Sequence, residues 1–145
     1  MFARVPQLQD VRRSPLYLPF FSSRVSAGFP SPADDHLDGR IDLAAFLIEN
    51  EPATFLVRAC GDSMIGAGIF NNDLLVVDRS AQAVDGSIVV AEVAGEFTLK
   101  RLRLIAGIPW LHAENPAYPA QRVTEETGFV VWGVVKHSVR THGHA

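Results

Sequence analysis

From Thr54 onward, apolar and polar residues alternate in runs too short for helices. The segments 54–59, 74–78, 87–93, 96–104, 109–113 and 129–139 are rich in Val, Ile, Leu and Phe, and each predicts a β-strand. Ala94-Gly95 makes a tight link between two of them and predicts a hairpin. The pattern turns helical once. Over 42–50, Leu43, Leu47 and Ile48 share a face, Asp42 stands near the positive end, and Pro52 forces a stop. Before this helix, Pro6, Pro15 and Pro19 break any long helical run, while Leu16, Tyr17, Leu18, Phe20 and Phe21 form an apolar patch rather than a stripe. Residues 1–27 therefore read as an extended arm that packs on the body. Residues 28–40, which open with Gly28-Phe29-Pro30-Ser31-Pro32, read as a linker, and 41–145 as one domain. The expected fold is mainly β, a curled or closed sheet with one short helix.

Composition narrows the function. The 145 residues can bury a core without disulfides or a structural metal, and 48% hydrophobic with 20% charged residues excludes disorder throughout. A single cysteine, Cys60, excludes a disulfide framework and a multi-thiolate zinc site. At an apolar strand end it reads as a small core residue. No metal or cofactor is expected. The net charge of −3 is unevenly spread: residues 1–27 hold four arginines against Asp10, or +3, and the remainder holds 9 basic and 15 acidic residues, or −6. An acidic body argues against gripping nucleic acid by a general basic surface.

Apolar stretches such as 129–135 fall far short of the roughly 20 residues that span a bilayer. Arg12-Arg13, the apolar run 16–21 and Val25-Ser26-Ala27 imitate a secretory signal. The run is interrupted by Pro19 and followed by Arg24, whereas a signal core has about 7–15 uninterrupted apolar residues. The expected location is cytoplasmic, without a membrane partner.

Two positions carry possible chemistry. Gly61-Asp62-Ser63-Met64 follows a predicted strand and precedes Ile65-Gly66-Ala67-Gly68. Glycines on both sides let the chain turn sharply and leave the serine reachable, so that a nucleophile and adjacent N–H groups could combine. The same residues also suit a plain turn. Lys100 lies in the predicted strand 96–104, where Thr98, Lys100, Leu102 and Leu104 share a face. An ordinary lysine is neutral in only roughly one molecule in 2,500 at pH 7, and leucines beside the ammonium would raise that fraction by excluding water. A neutral amine could deprotonate a serine, the Ser–Lys variant of a triad; a surface lysine with a wet head is the other reading. Eleven of the 13 basic residues are arginines, and only Lys100 and Lys136 are lysines. Arginine stays protonated and could not act as a base. A Ser-His-Asp arrangement could draw on His112 or His137 with Asp62 or Asp78, but no motif groups them. His36 falls in the linker, and His142 and His144 suit a frayed terminus.

Taken in order, Ala27-Gly28-Phe29-Pro30-Ser31-Pro32, Gly61-Asp62-Ser63-Met64 and Glu96-Phe97-Thr98-Leu99-Lys100 strongly resemble the UmuD family, the mutagenesis-associated branch of the LexA-like self-cleaving proteins. Ile41-Asp42-Leu43, the segment 73–78 and the strand 129–135 also fit the family pattern. The resemblance implies a compact, mostly β homodimer with the fold of the LexA C-terminal domain. It implies that Ser63 is the nucleophile, Lys100 its general base, and the N–H groups of Asp62 and Ser63 the oxyanion hole. The bond attacked would be the chain's own Ala27–Gly28 peptide, which removes the arm. In the family, a RecA–single-stranded DNA filament stimulates cleavage during the SOS response. The shortened dimer then joins the Y-family polymerase UmuC in translesion synthesis. The chain departs from the best-known members in having Ala27 rather than Cys before the scissile glycine, a small-for-small change that leaves the rate open.

The proline-rich residues before Gly28 offer no helix pair, so sequence-specific DNA binding is not expected. Ser63 lies 35 residues beyond Gly28, a flexible span of about 30–35 Å, so the arm could reach its own site or a dimer partner's. The other functional class compatible with the sequence is a non-catalytic dimeric binding protein whose uncut arm controls partner access.

Overall fold

The computed structural model describes residues 15–22, 24–28 and 37–143, and the chain divides into two compact units at Glu49/Asn50. In the N-terminal unit, β1 (Tyr17–Phe21) pairs antiparallel with β2 (Leu37–Asp42). Pro19 is tolerated because a two-stranded ribbon is all edge, and the register slips between Pro19 and Phe21. The described part of the arm is thus extended, as its prolines predict. The rest of the arm before Pro15, Phe29-Pro30-Ser31-Pro32 of the linker, His36 and His144 lie outside the described residues. From Leu37 the expected linker is already a strand.

Helix α1 is shorter than the pattern predicts, Leu43–Leu47 instead of 42–50. Asp42 caps it, its Oδ1 accepting from the Ala45 N–H at 3.4 Å. At Ile48 the backbone turns extended (φ −124°, ψ 104°), which ends the helix. Pro52 then sits in a separate 3₁₀ turn, Glu51–Ala53, where its missing N–H costs nothing. Strands and turns thus fill much of the chain between Gly28 and Ser63, so the flexible-chain span does not apply to it.

The C-terminal unit is one antiparallel sheet of seven strands: β3 (Thr54–Arg58), β4 (Leu74–Asp78), β5 (Ile88–Val93), β6 (Glu96–Ile105), β7 (Ile108–His112), β8 (Gln121–Arg122) and β9 (Phe129–Val139). Their order is β3-β4-β9-β5-β6-β7-β8. Every predicted strand is present within two residues. The order is open, with β3 and β8 at its ends, and β9 joins its two parts. This strand pairs with β5 through its first half and with β4 through its second, and Val134 lies opposite both Val89 and Asp78. The register jumps once on each side, past Trp132 and past Lys136, and such bulges bend and twist a strand. Gly133 stands between the two jumps, where a Cβ would come within 2.6 Å of Val77 Cγ1.

Alternation sets the core. Val89, Ala91 and Val93 of β5 cluster with Leu102, Leu111, Val123 and Val134, and β4 is buried on both faces from Leu75 to Asp78, as its unbroken apolar run suggests. The link Ala94-Gly95 closes the β5–β6 hairpin with both residues at positive φ.

One ion pair fixes the loop between the Ser63 turn and β4. Arg140 donates through Nε and Nη2 to the buried Asp73 at 3.0 and 2.9 Å, donates to the Gly68 carbonyl, and lies over the Phe70 ring. Hydrogen bonds from Arg140 and from the Phe70 N–H hold the Asp73 carboxyl at about 2, below its ordinary 3.8. A depressed carboxylate stabilises the fold above its unfolded pKa and loses that contribution as pH falls through the folded one. Urea midpoints should therefore fall as pH drops from about 4 to 2. Asp73→Asn should be less stable at neutral pH and show a shallower acid-side loss; an equally steep loss in that variant would remove Asp73 as the source.

Candidate active site

The sheet delivers Lys100 and the turn after β3 delivers Ser63. Lys100 lies mid-strand in β6, opposite Val89 of β5, and alternation puts it on the core-facing side with the buried Leu102. Leu104, further along that face, is exposed. Burial lowers the Lys100 ammonium below the ordinary lysine value, because the charged form has lost water. Its Nζ donates to Ser63 Oγ and to its neighbour's carbonyl, Leu99 O, both at 3.2 Å. Ser63 is half-buried, so its hydroxyl has one side toward the lysine and another open to a substrate.

The serine turn is built from local chemistry. After β3, Ala59 remains in the core and exchanges backbone hydrogen bonds with Asp73 and Asn72. Gly61 then adopts φ 89°, which an L side chain resists. Its N–H donates to Asn71 Oδ1 at 2.9 Å. Met64 is buried, anchoring the turn beyond the serine, and the 3₁₀ turn Ile65–Ala67 follows, closed by Gly68 at φ 79°. Among the described residues, the N–H groups of Asp62 and Ser63 have no protein acceptor. That leaves two backbone donors in the turn that carries the hydroxyl.

Sequence reasoning did not single out the segment that faces this turn. Residues 114–118 reach it three times: the Glu114 carbonyl accepts from the Gly66 N–H at 2.8 Å, Asn115 Nδ2 donates to the Asp62 carbonyl at 3.0 Å, and the Tyr118 hydroxyl donates to Asp62 Oδ1 at 2.5 Å. Glu114 also pairs with Arg101, next to Lys100. In sequence, Asn115-Pro116-Ala117-Tyr118 shows only a turn signal, and Asn115 does bond the Ala117 N–H. Nothing in it announces a partner more than fifty residues away.

Cys60 is exposed; it is not the core residue expected, because Ala59 takes the inward position and the next side chain points away. His112 lies opposite Arg101 and edge-on to Trp110, and His137 lies opposite Val76. Ala27 and Gly28 belong to the N-terminal unit, where both are exposed at a bend. Among the described residues no three His, Cys, Asp or Glu side chains form a metal-holding group. A cavity of about 360 Å³ lies beside the turn rather than over Ser63, lined by Arg58, Phe70 and Arg140, and it reaches the turn through Asn71. No described helix is long and apolar enough to cross a membrane.

Gly66 tests the contact between turn and segment. A Cβ there would sit 2.5 Å from the Glu114 carbonyl oxygen, which is backbone and cannot swing aside. Gly66→Ala should cost about 1–3 kcal/mol of stability, read as a lower midpoint of thermal or urea unfolding. An unchanged midpoint would mean that residues 114–118 are not held tightly against the turn.

Comparison with known proteins gives the family. Residues 19–136 match the family described as Peptidase S24-like. The chain is 46% identical over 123 residues to Protein SamA of Salmonella typhimurium, covering 85% of this chain and 87% of that one. It is 44% identical over 121 residues to Protein ImpA of Escherichia coli, covering 83% and 82%. To Protein MucA of Escherichia coli it is 41% identical over 126 residues, 86% of each. The chain belongs to the S24-like peptidases, a family of SOS-related self-cleaving serine proteases, and within it to the UmuD-like group.

Proposed function

We propose that this chain is a self-cleaving serine protease that uses Ser63 and Lys100 to cut its own Ala27–Gly28 bond. The observation that carries this reading is the 3.2 Å contact between Lys100 Nζ and Ser63 Oγ on a lysine whose charged form is disfavoured by burial. Neutral Lys100 takes the proton of the Ser63 hydroxyl as Oγ attacks the Ala27 carbonyl carbon. The negative charge that develops on the carbonyl oxygen is met by the N–H groups of Asp62 and Ser63. The tetrahedral intermediate collapses by breaking the C–N bond, and the Lys100 ammonium returns its proton to the leaving Gly28 amine. Lys100 then draws a proton from water, which hydrolyses the Ala27 ester on Ser63 and regenerates the hydroxyl. Gly28 suits this attack, since a residue without Cβ leaves the carbonyl approachable.

The biological reading follows the UmuD-like group. The arm, 1–27, is lost on cleavage, and the peptidase and dimerisation function resides in the part of 41–145 that begins at Asn50. The protein acts as a cytoplasmic homodimer, a RecA–single-stranded DNA filament stimulates the cut, and the shortened dimer serves a UmuC-type translesion polymerase. Its support is the three-motif resemblance and the identity to SamA, ImpA and MucA across most of each chain.

Incubation of the full chain at alkaline pH, followed by intact-mass measurement, tests the chemistry. The expected product begins at Gly28, and Ser63→Ala, Lys100→Ala and Lys100→Arg should each abolish it. The rate should rise with pH, since only the deprotonated amine accepts a proton, and the rise should fall below the ordinary lysine range. A chain left uncut both alone and with activated RecA would instead favour the non-catalytic binding protein.

A further inference from the structure

Tyr118 meets Lys100 of the candidate pair and the residue that precedes Ser63. The centroid of its ring lies 5.9 Å from Lys100 Nζ, and its hydroxyl donates to Asp62, the residue before Ser63. The side chain is partly exposed, so one side of the phenol meets water while the ring face meets the ammonium. The Asp62 carboxylate lifts the phenol above its ordinary range by accepting that hydrogen bond, which keeps the donor proton in place at alkaline pH. Asn115, three residues earlier, holds the Asp62 carbonyl. Side chain and backbone of Asp62 are thus both fixed from one short segment.

We propose that Tyr118 is a positioning residue of the Ser63–Lys100 site, its ring screening the Lys100 ammonium from water and its hydroxyl fixing the Asp62–Ser63 backbone. The assignment of a purpose to this contact rests on the serine–lysine reading above; the contact with Lys100 can be tested apart from it. Among the described residues, the other groups placed near the ammonium are these. From the turn it meets Ser63, with Asp62 behind Tyr118; from β5 the facing residue is the apolar Val89. Along β6 the neighbouring Arg101 is paired with Glu114, and from β7 the titratable residue is His112, opposite Arg101. A ring facing a cation also attracts it, which favours the ammonium. Loss of water on burial lowers Lys100, the direction that a covering ring reinforces.

The two roles separate by substitution. Tyr118→Phe keeps the ring and loses the hydroxyl, and Tyr118→Ala loses both. Because the chain has only two lysines, full-length protein carrying ¹³C-labelled lysine gives two side-chain signals, assigned through Lys136→Arg. In wild type the Lys100 signal should titrate below the ordinary lysine range. Tyr118→Ala should carry it up toward that range, and Tyr118→Phe should leave it at the wild-type position. For cleavage, Tyr118→Phe should slow the reaction about tenfold at every pH without moving the profile, the effect of one lost hydrogen bond to a charged group. Tyr118→Ala should also move the rising limb to higher pH. Should Tyr118→Ala not fold, Tyr118→Gln carries the same expectation. A Lys100 titration unmoved by loss of the ring overturns the screening role, and a Tyr118→Phe protein that cuts at the wild-type rate overturns the hydroxyl's. If Lys100 shifts as expected but no variant and no wild type is ever cut, the ring's role stands and the protease reading falls.

Discussion

A cation held on the core side of a β-sheet is the constraint on which this structure turns. Strand β6 could place an apolar residue at position 100, as it does at Leu102, and gain the burial free energy of a side chain. It places an amine there instead, opposite Val89 and close to Ser63. Such a group is costly while charged and is chemically useful when it loses its proton. Partial burial is a compromise between the two. The ammonium keeps three potential donors, two of which find Ser63 Oγ and the Leu99 carbonyl, so the site is desolvated without being left unsatisfied.

A base is of use only if its partner stays within reach, and neither the sheet nor the turn can guarantee that separately. The turn at 61–66 has little regular structure to stiffen it. Its restraint comes from two sides: Asn71 holds the Gly61 N–H, and residues 114–118 hold Asp62 and Gly66. The Arg101–Glu114 pair joins this second restraint to the strand that carries Lys100. Displacement of β6 relative to the turn would therefore strain Glu114 at both ends. On the other side, the buried Asp73 and its arginine fix the loop that supplies Asn71.

Much of this was legible in the sequence, and the boundary of legibility is physical. Strands such as 74–78 and 129–139 announce themselves because alternation and β-branching are local properties. Gly61 and Ser63 are legible for a similar reason, since a turn with a required positive φ leaves its mark in residue type. The short face holding Lys100 and Leu102 follows from the same alternation. The helical pattern over 42–50 overshoots α1 because propensity over 48–50 says nothing of where the backbone must straighten. Cys60 differs from the core residue expected because the alternation runs on past the strand end, with Ala59 inward and Cys60 outward. The contacts from Glu114, Asn115 and Tyr118 left no local trace: their partners lie far along the chain, and Asn-Pro suits any loop.

The division of the chain at Glu49/Asn50 has a consequence for what survives a cut. Ser63, Lys100, Asp62, Asn71 and the segment 114–118 all belong to the C-terminal unit, and every hydrogen bond described among them is internal to it. Severing the chain at Gly28 would thus subtract a substrate without dismantling the catalyst. If the chain cuts itself as proposed, the two fates are independent: the arm would be consumed once, whereas the serine and lysine would emerge chemically unchanged. Such a molecule would be spent through exhaustion of its reactant, with its reactive centre still assembled.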